Sequence, residues 1–135
     1  MSPINKIGNT NKLSINEFRI NLAESIRRVK RSNTKSLYLL SYKQLYKNFP
    51  IIDFGQVISE STTLGLYQFN KYKTKSTKIS IQYFYIIEEN KKNYDEINQG
   101  ISNGEIISNS VNLCRDLVNE PANYICLLYT SDAAE

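Results

Sequence analysis

Histidine and tryptophan are both missing from this 135-residue sequence, which has only two cysteines, three prolines and five glycines. Without histidine there is no imidazole to act as a general acid or base near neutral pH, and the commonest metal ligand is lost. Cys114 and Cys126 stand at no spacing typical of a metal site, so thiolate sites are nearly excluded as well. Cys114 reads best as a small core residue. No apolar run approaches the roughly 18 residues of a membrane span, and the opening "MSPINKIGNTNKLS" lacks the apolar centre of a signal peptide. A cytoplasmic protein without membrane contact is the resulting expectation. Five scattered glycines form no phosphate-cradling loop, which makes a phosphate-binding ligand module the weakest of the functional readings.

Apolar residues at 41% and charged residues at 22% are ordinary for one globular domain with a real core. The net charge of +4 is unevenly spread. Residues 1–80 carry 14 Lys and Arg against 4 acids, and residues 81–135 carry 3 against 9, so the halves stand at +10 and −6. Such asymmetry fits a nucleic-acid surface, or two halves that sit against each other or against another subunit.

The first element is plain in "LSINEFRINLAESIRRVKRSN". Ser14 and Glu17 have capping-box spacing. Ile15, Phe18, Leu22, Ile26 and Val29 recur on one helical face, and the basic last turn complements the helix dipole, predicting a helix over 15–31. "SLYLLSY" at 36–42 predicts a largely buried strand. Pro50 suits a helix start, and Ile51, Phe54, Val57, Ile58 and Leu64 predict a second helix ending near Gly65. "KISIQYFYIIEE" at 78–89 alternates through Ile79, Ile81, Tyr83, Tyr85 and Ile87 before both faces turn apolar, the strongest strand signal in the chain. From Tyr94 to about Asn119, Ile97, Ile101, Gly104, Ile107, Val111, Cys114 and Val118 step by three and four. Ile106, Leu113 and Leu117 widen that stripe, predicting a long helix buried along a broad face. It should stop before Pro121, which disfavours helical geometry at Glu120.

Two stretches carry a resemblance. "LGLYQFNKYKTK" (64–75) and "GEIISNSVNLCRDLVNEPANY" (104–124) are similar to segments of the leucine aminopeptidase family, two-metal enzymes that remove residues from peptide amino termini. In the second stretch Gly104, Asn112, Arg115, Asp116, Leu117, Asn119, Pro121 and Asn123 fall where the family's Arg-Asp-Leu-x-Asn-x-Pro-x-Asn segment has them. In the first, Tyr67, Phe69, Tyr72 and Lys73 agree, while Gln68 replaces a usual basic residue. "INKIGNTNKLSINEFRINLAESIRRVK" also resembles the family, so the likeness runs from residue 4 to 124.

The resemblance implies an α/β class: an incomplete, macro-like amino-terminal domain over 1–93, then a long linker helix and turn over 94–125 leading to an absent catalytic domain. Met1 would then be an internal or truncated start. "CLLYTSDAAE" (126–135) resembles translated adapter or vector sequence and is expected to be a non-native tail. Its Asp132 and Glu135 echo the family's metal signature with the wrong spacing. The expectation is therefore a non-catalytic fragment of a leucyl aminopeptidase, with no catalytic, cofactor-binding or metal residue of its own and no cofactor in the fragment. For the parent the family implies two divalent ions, zinc or manganese, peptide substrates and a homohexamer, with the catalytic domain as the fragment's partner.

Arg115 and Asp116, adjacent on a helix, point in different directions and are expected to tie the linker helix to its neighbours. Asn119, Pro121 and Asn123 are expected to end the helix and form a turn. The alternative to the aminopeptidase reading is a small basic nucleic-acid-binding module. Lys71, Lys73, Lys75 and Lys78 would meet phosphates, and Tyr67, Phe69 and Tyr72 would stack on bases. A solvated, lysine-decorated strand edge is the plainer reading of that segment.

Overall fold

The computed structural model describes residues 13–30, 32, 34–41, 45–74 and 81–122. Helix α1 spans Ile15–Val29, strand β1 Ser36–Leu40, helix α2 Ile51–Leu66, strand β2 Tyr83–Ile87 and helix α3 Tyr94–Asn119, with a 3₁₀ turn at Lys91–Asn93 leading into α3. The mixed α/β class and the long last helix are as the sequence predicts. Ser14 caps α1: its hydroxyl accepts from the Glu17 amide at 3.2 Å, and the Glu17 carboxylate takes the Ser14 amide at 2.9 Å. The bond from the Ser14 amide, with a second from the Ser14 hydroxyl to the same carboxylate at 3.0 Å, holds the Glu17 carboxyl below its usual range. α3 stops at Asn119 with Glu120 extended, as expected one residue before a proline.

β1 and β2 pair in parallel, with Ser36 opposite Tyr83 and Leu40 opposite Ile87. Parallel strands need a crossover, and α2 supplies it. The inner side chains Leu39, Phe84 and Ile86 pack against a core made from Phe18, Leu22 and Ile26 of α1, Phe54, Val57 and Ile58 of α2, Ile97 of α3, and Leu13 and Leu45. α3 lies against α2.

Three expectations need correction. β2 begins at Tyr83; Ile81 is buried but precedes the strand, and residues 78–80, Ile79 among them, lie outside the described residues. The strands are not buried on both sides: Tyr38, Leu40, Tyr83, Tyr85 and Ile87 face outward and are exposed. Alternation shows that a strand's two sides differ, and β2 puts Phe84 and Ile86 inward. The third correction concerns α3. Ile97 and Gly104 are buried as predicted, but the other positions sealed on that helix are Gly100 and Ser108. Ile106, Ile107, Val111, Leu113, Leu117 and Val118 are exposed, and so is Cys114, which is no core residue.

The cause is backbone proximity. A Cβ built on Gly104 would stand 2.5 Å from the Gln56 carbonyl oxygen and 2.8 Å from Ser59 Cβ, and one on Gly55 of α2 would stand 3.0 Å from the Ile97 carbonyl carbon. Two helices this close exclude large side chains from their seam, so small residues take the buried stripe and the apolar ones are displaced to its flanks. Ser108 tolerates full burial because its hydroxyl donates to the carbonyl of Gly104 one turn earlier.

Candidate functional site

The chain leaves α2 at Leu66 and turns back along the end of α3, and the two segments grip each other there. Tyr67 is the hub. Its hydroxyl donates to Asp116 Oδ1 at 2.7 Å and accepts from Asn119 Nδ2 at 3.4 Å. The Arg115 guanidinium lies 5.3 Å from the Tyr67 ring centre, and its Nη1 donates to the Leu64 carbonyl at 3.3 Å. Lys30, from the end of α1, donates to the Tyr67 carbonyl at 3.0 Å. Burial pushes the Tyr67 phenol up, the bond to Asp116 adds to this, and burial draws the Lys30 ammonium down. Arg115 and Asp116 do hold the last helix to its neighbours, as expected, but they do so by converging on Tyr67 and not by pointing apart.

A second grip follows one turn later. Lys71 Nζ stands 2.5 Å from Glu120 Oε1, and the Tyr72 hydroxyl donates to Glu120 Oε2. The carboxylate is largely covered, at 10% exposure. Its bonds to Lys71 and then Tyr72 hold the Glu120 carboxyl below the usual carboxylate range, and Glu120 raises the Lys71 ammonium in return. Gln68, Phe69, Asn70 and Lys71 face Asp116 and Glu120 across an open cleft of about 310 Å³. The basic half and the acidic half of the sequence thus meet here, which the charge asymmetry leaves open as one of its readings.

The segment that could have been a nucleic-acid surface turns its Tyr67, Lys71 and Tyr72 onto α3. Lys73 is exposed, and Lys75 and Lys78 lie outside the described residues. Residues 67–74 hold no strand and turn at Lys71 and Tyr72, so over the described part of this segment the strand-edge reading is corrected too. Sequence reasoning gave Glu120 no role beyond the helix stop and Lys30 none beyond the basic last turn of α1; no motif marks either as part of a site. It also missed Glu88, at the carboxyl ends of the paired strands. Its Oε2 accepts from Ser41 at 2.5 Å and Tyr46 at 3.4 Å, and its Oε1 accepts from the Asn90 amide at 3.0 Å. Burial raises that carboxyl, but the hydrogen bonds outweigh burial and leave it lowered. Its oxygens are taken up within the domain, a structural role.

No nucleophile with an adjacent base is assembled by these groups, and among the described residues no three His, Cys, Asp or Glu side chains are placed to hold a metal ion. Among the described residues, too, no helix is long and apolar enough to cross a membrane. What the cluster can do is fix the end of α3 against the rest of the domain.

An acid titration tests this. A depressed carboxyl stabilises above its unfolded value and loses that contribution as pH falls through the lower folded value. The Glu120 grip should therefore persist down to about pH 4.3, the unperturbed glutamate value, and release below it. NMR shifts of the Tyr72 ring should move in that window and not in Glu120→Gln. An unchanged titration in that variant would show that Glu120 does not govern the grip.

Comparison with known proteins gives this arrangement its context. In sequence, the chain is 30% identical over 122 residues to the probable cytosol aminopeptidase of Alkaliphilus metalliredigens, covering 88% of this chain and 24% of that protein. It is also 30% identical over 110 residues to the probable cytosol aminopeptidase of Sulfurihydrogenibium sp., covering 82% and 21%. A 72-residue stretch is 38% identical to the Persephonella marina protein of the same description, covering 53% of this chain and 14% of that one. The chain thus spans about a quarter or less of the length of these relatives. In fold it is similar to the bottromycin maturation enzyme BotP, with a TM-score of 0.64 at 22% identity, over 84% of this chain and 23% of that one. The family model for the amino-terminal domain of the cytosol aminopeptidase family matches residues 7–76, 70 of the 135 residues. By that domain, the chain belongs to the cytosol aminopeptidase family.

Proposed function

We propose that this chain is the amino-terminal, non-catalytic part of a cytoplasmic leucyl aminopeptidase, a metal-dependent exopeptidase that releases amino-terminal residues from peptides. The supporting observation is the extent of the likeness: it runs over most of this chain, α3 included, yet over only about a quarter of each relative. On this reading residues 1–93 form a macro-like layer, of which β1, α2 and β2 are one parallel crossover unit. Residues 94–125 are the linker, and the Tyr67 and Glu120 grips set the direction in which the chain leaves α3. The parent would act as a homohexamer on peptide substrates.

The residues described here do not fit a metal site, so the catalytic ions of this reading, two zinc or manganese ions, belong to the remainder of the parent. There they supply an activated water and a polarised scissile carbonyl. On this reading no step of that chemistry falls to the described residues.

The test joins this chain to the Alkaliphilus relative in place of the segment it matches. The chain alone should hydrolyse no leucyl amide with manganese or zinc present, while the joined protein should do so. Turnover by the chain alone that survives contamination controls would overturn the proposal, as would a folded but inert joined protein.

A further inference from the structure

Asn103 and Gly104, within α3, are the one Asn-Gly pair in the sequence. In a flexible chain this pair is chemically unstable, because glycine has no Cβ to shield its amide nitrogen from the asparagine side chain before it. Once that nitrogen has lost its proton, it attacks Cγ of the asparagine. The bond from Cγ to Nδ2 breaks, ammonia leaves and a five-membered succinimide closes. Water then opens the ring at either carbonyl, leaving aspartate or isoaspartate. Water is the sole co-reactant.

The seam with α2 calls for the reactive glycine. A Cβ at position 104 would stand 2.5 Å from the Gln56 carbonyl oxygen and 2.8 Å from Ser59 Cβ, so a larger residue does not fit. The same fold holds the pair unreactive. Inside a regular helix the Gly104 amide donates to the carbonyl four residues earlier, and the helical backbone at Asn103 keeps that nitrogen away from Cγ. The Asn103 side chain is held as well: its Oδ1 accepts from Gln99 Nε2 at 3.2 Å, which draws it toward the preceding turn. Attack therefore requires that α3 open at this point. Isoaspartate carries the main chain through its side-chain carbon, adding one backbone atom at position 103. The buried Gly104 and Ser108 would then stand out of register with α2, and the seam could not close as before. We propose that Asn103 and Gly104 form a deamidation site that is shut while α3 lies on α2, and that conversion to isoaspartate makes an opening of the helix irreversible.

The test follows the chain over time at neutral pH, with peptide mass mapping at Asn103 and separation of the aspartate and isoaspartate forms. Without denaturant, modification should be at least about tenfold slower than in urea that unfolds the chain, because local opening sets the rate. Gly55→Ala leaves the sequence of α3 untouched but brings a Cβ to 3.0 Å from the Ile97 carbonyl carbon, and it should speed modification severalfold. The isolated isoaspartate chain should unfold at lower urea than the unmodified one. Asn103→Gln, whose longer side chain closes a ring far more slowly, should show no change of mass at this position over the same period. Equal rates with and without urea would overturn the proposal. So would a folded Gly55→Ala chain with the parent's rate, or an isoaspartate chain as stable as the unmodified one. If Gly55→Ala does not fold, a urea series on the parent chain takes its place: a rate at Asn103 that rises along the unfolding transition supports the proposal, and a flat rate overturns it.

Discussion

Replacing Gly100 with alanine is expected to separate α3 from α2. A Cβ at that position would meet the Ile52 carbonyl oxygen, with the Gln56 amide nitrogen 2.8 Å away and the Ile52 carbonyl carbon 3.0 Å away. All three are backbone atoms of a regular helix, which cannot yield as the end of a flexible side chain would. Alanine gains about 1 kcal/mol over glycine in helix propensity, and that gain works against the effect. Overpacking against a rigid backbone costs about 1–3 kcal/mol and sometimes more, and here the whole length of α3 must shift to relieve it. A net loss of up to about 2 kcal/mol is expected, read as a lower midpoint in urea unfolding. Gly65→Ala is the control. Its Cβ would stand 3.2 Å from Cγ2 of Ile26, a contact with one side chain and not with backbone, so with the propensity gain the change in stability should be much smaller than at Gly100. If Gly100→Ala is as well tolerated as Gly65→Ala, the close seam between the two helices is wrong.

That seam is also where sequence reading and structure part. Periodicity locates α3 to within a residue because the apolar steps of three and four are a property of the helix itself. Which stripe of a helix is buried depends on what lies opposite, and that is not written in the helix's own spacing. With Gly55 facing it from α2, the seam accepts Gly100, Gly104 and Ser108, and the larger residues that dominate the pattern end outside. The same limit applies to the sheet. Alternation separates the sides of β2, but both sides are apolar from Tyr83 to Ile87, so pattern alone cannot say that Phe84 and Ile86 are the inner pair. Caps and stops are local, and they were legible: Ser14 with Glu17, and Pro121 after α3. The grips at Tyr67 and Glu120 join residues about fifty positions apart, and only the charge imbalance between the two halves hints at them. The resemblance singles out Tyr67, Arg115, Asp116 and Asn119 as a pattern; the structure shows that they meet.

The core under the sheet should be the least forgiving part of the molecule, and Phe54→Ala is expected to have the larger effect of the two predictions argued here. Phe54 is fully buried on α2, its ring centre 5.3 Å from that of Phe18 on α1 and 5.5 Å from that of Tyr46. Phe18 in turn stacks on Phe49 at 6.0 Å. One ring therefore links both helices and the segment between β1 and α2. Removing a buried phenylalanine side chain costs about 3–5 kcal/mol, through lost transfer free energy and the cavity left behind. Against a total stability of about 5–15 kcal/mol for a domain, a chain near the lower end would lose cooperative folding at room temperature. Phe54→Leu keeps most of the volume and should cost about 1.5 kcal/mol or less. Thermal unfolding followed by circular dichroism checks both. A Phe54→Ala protein with a midpoint within a few degrees of the parent would mean that α1 and α2 do not share this ring as their common support.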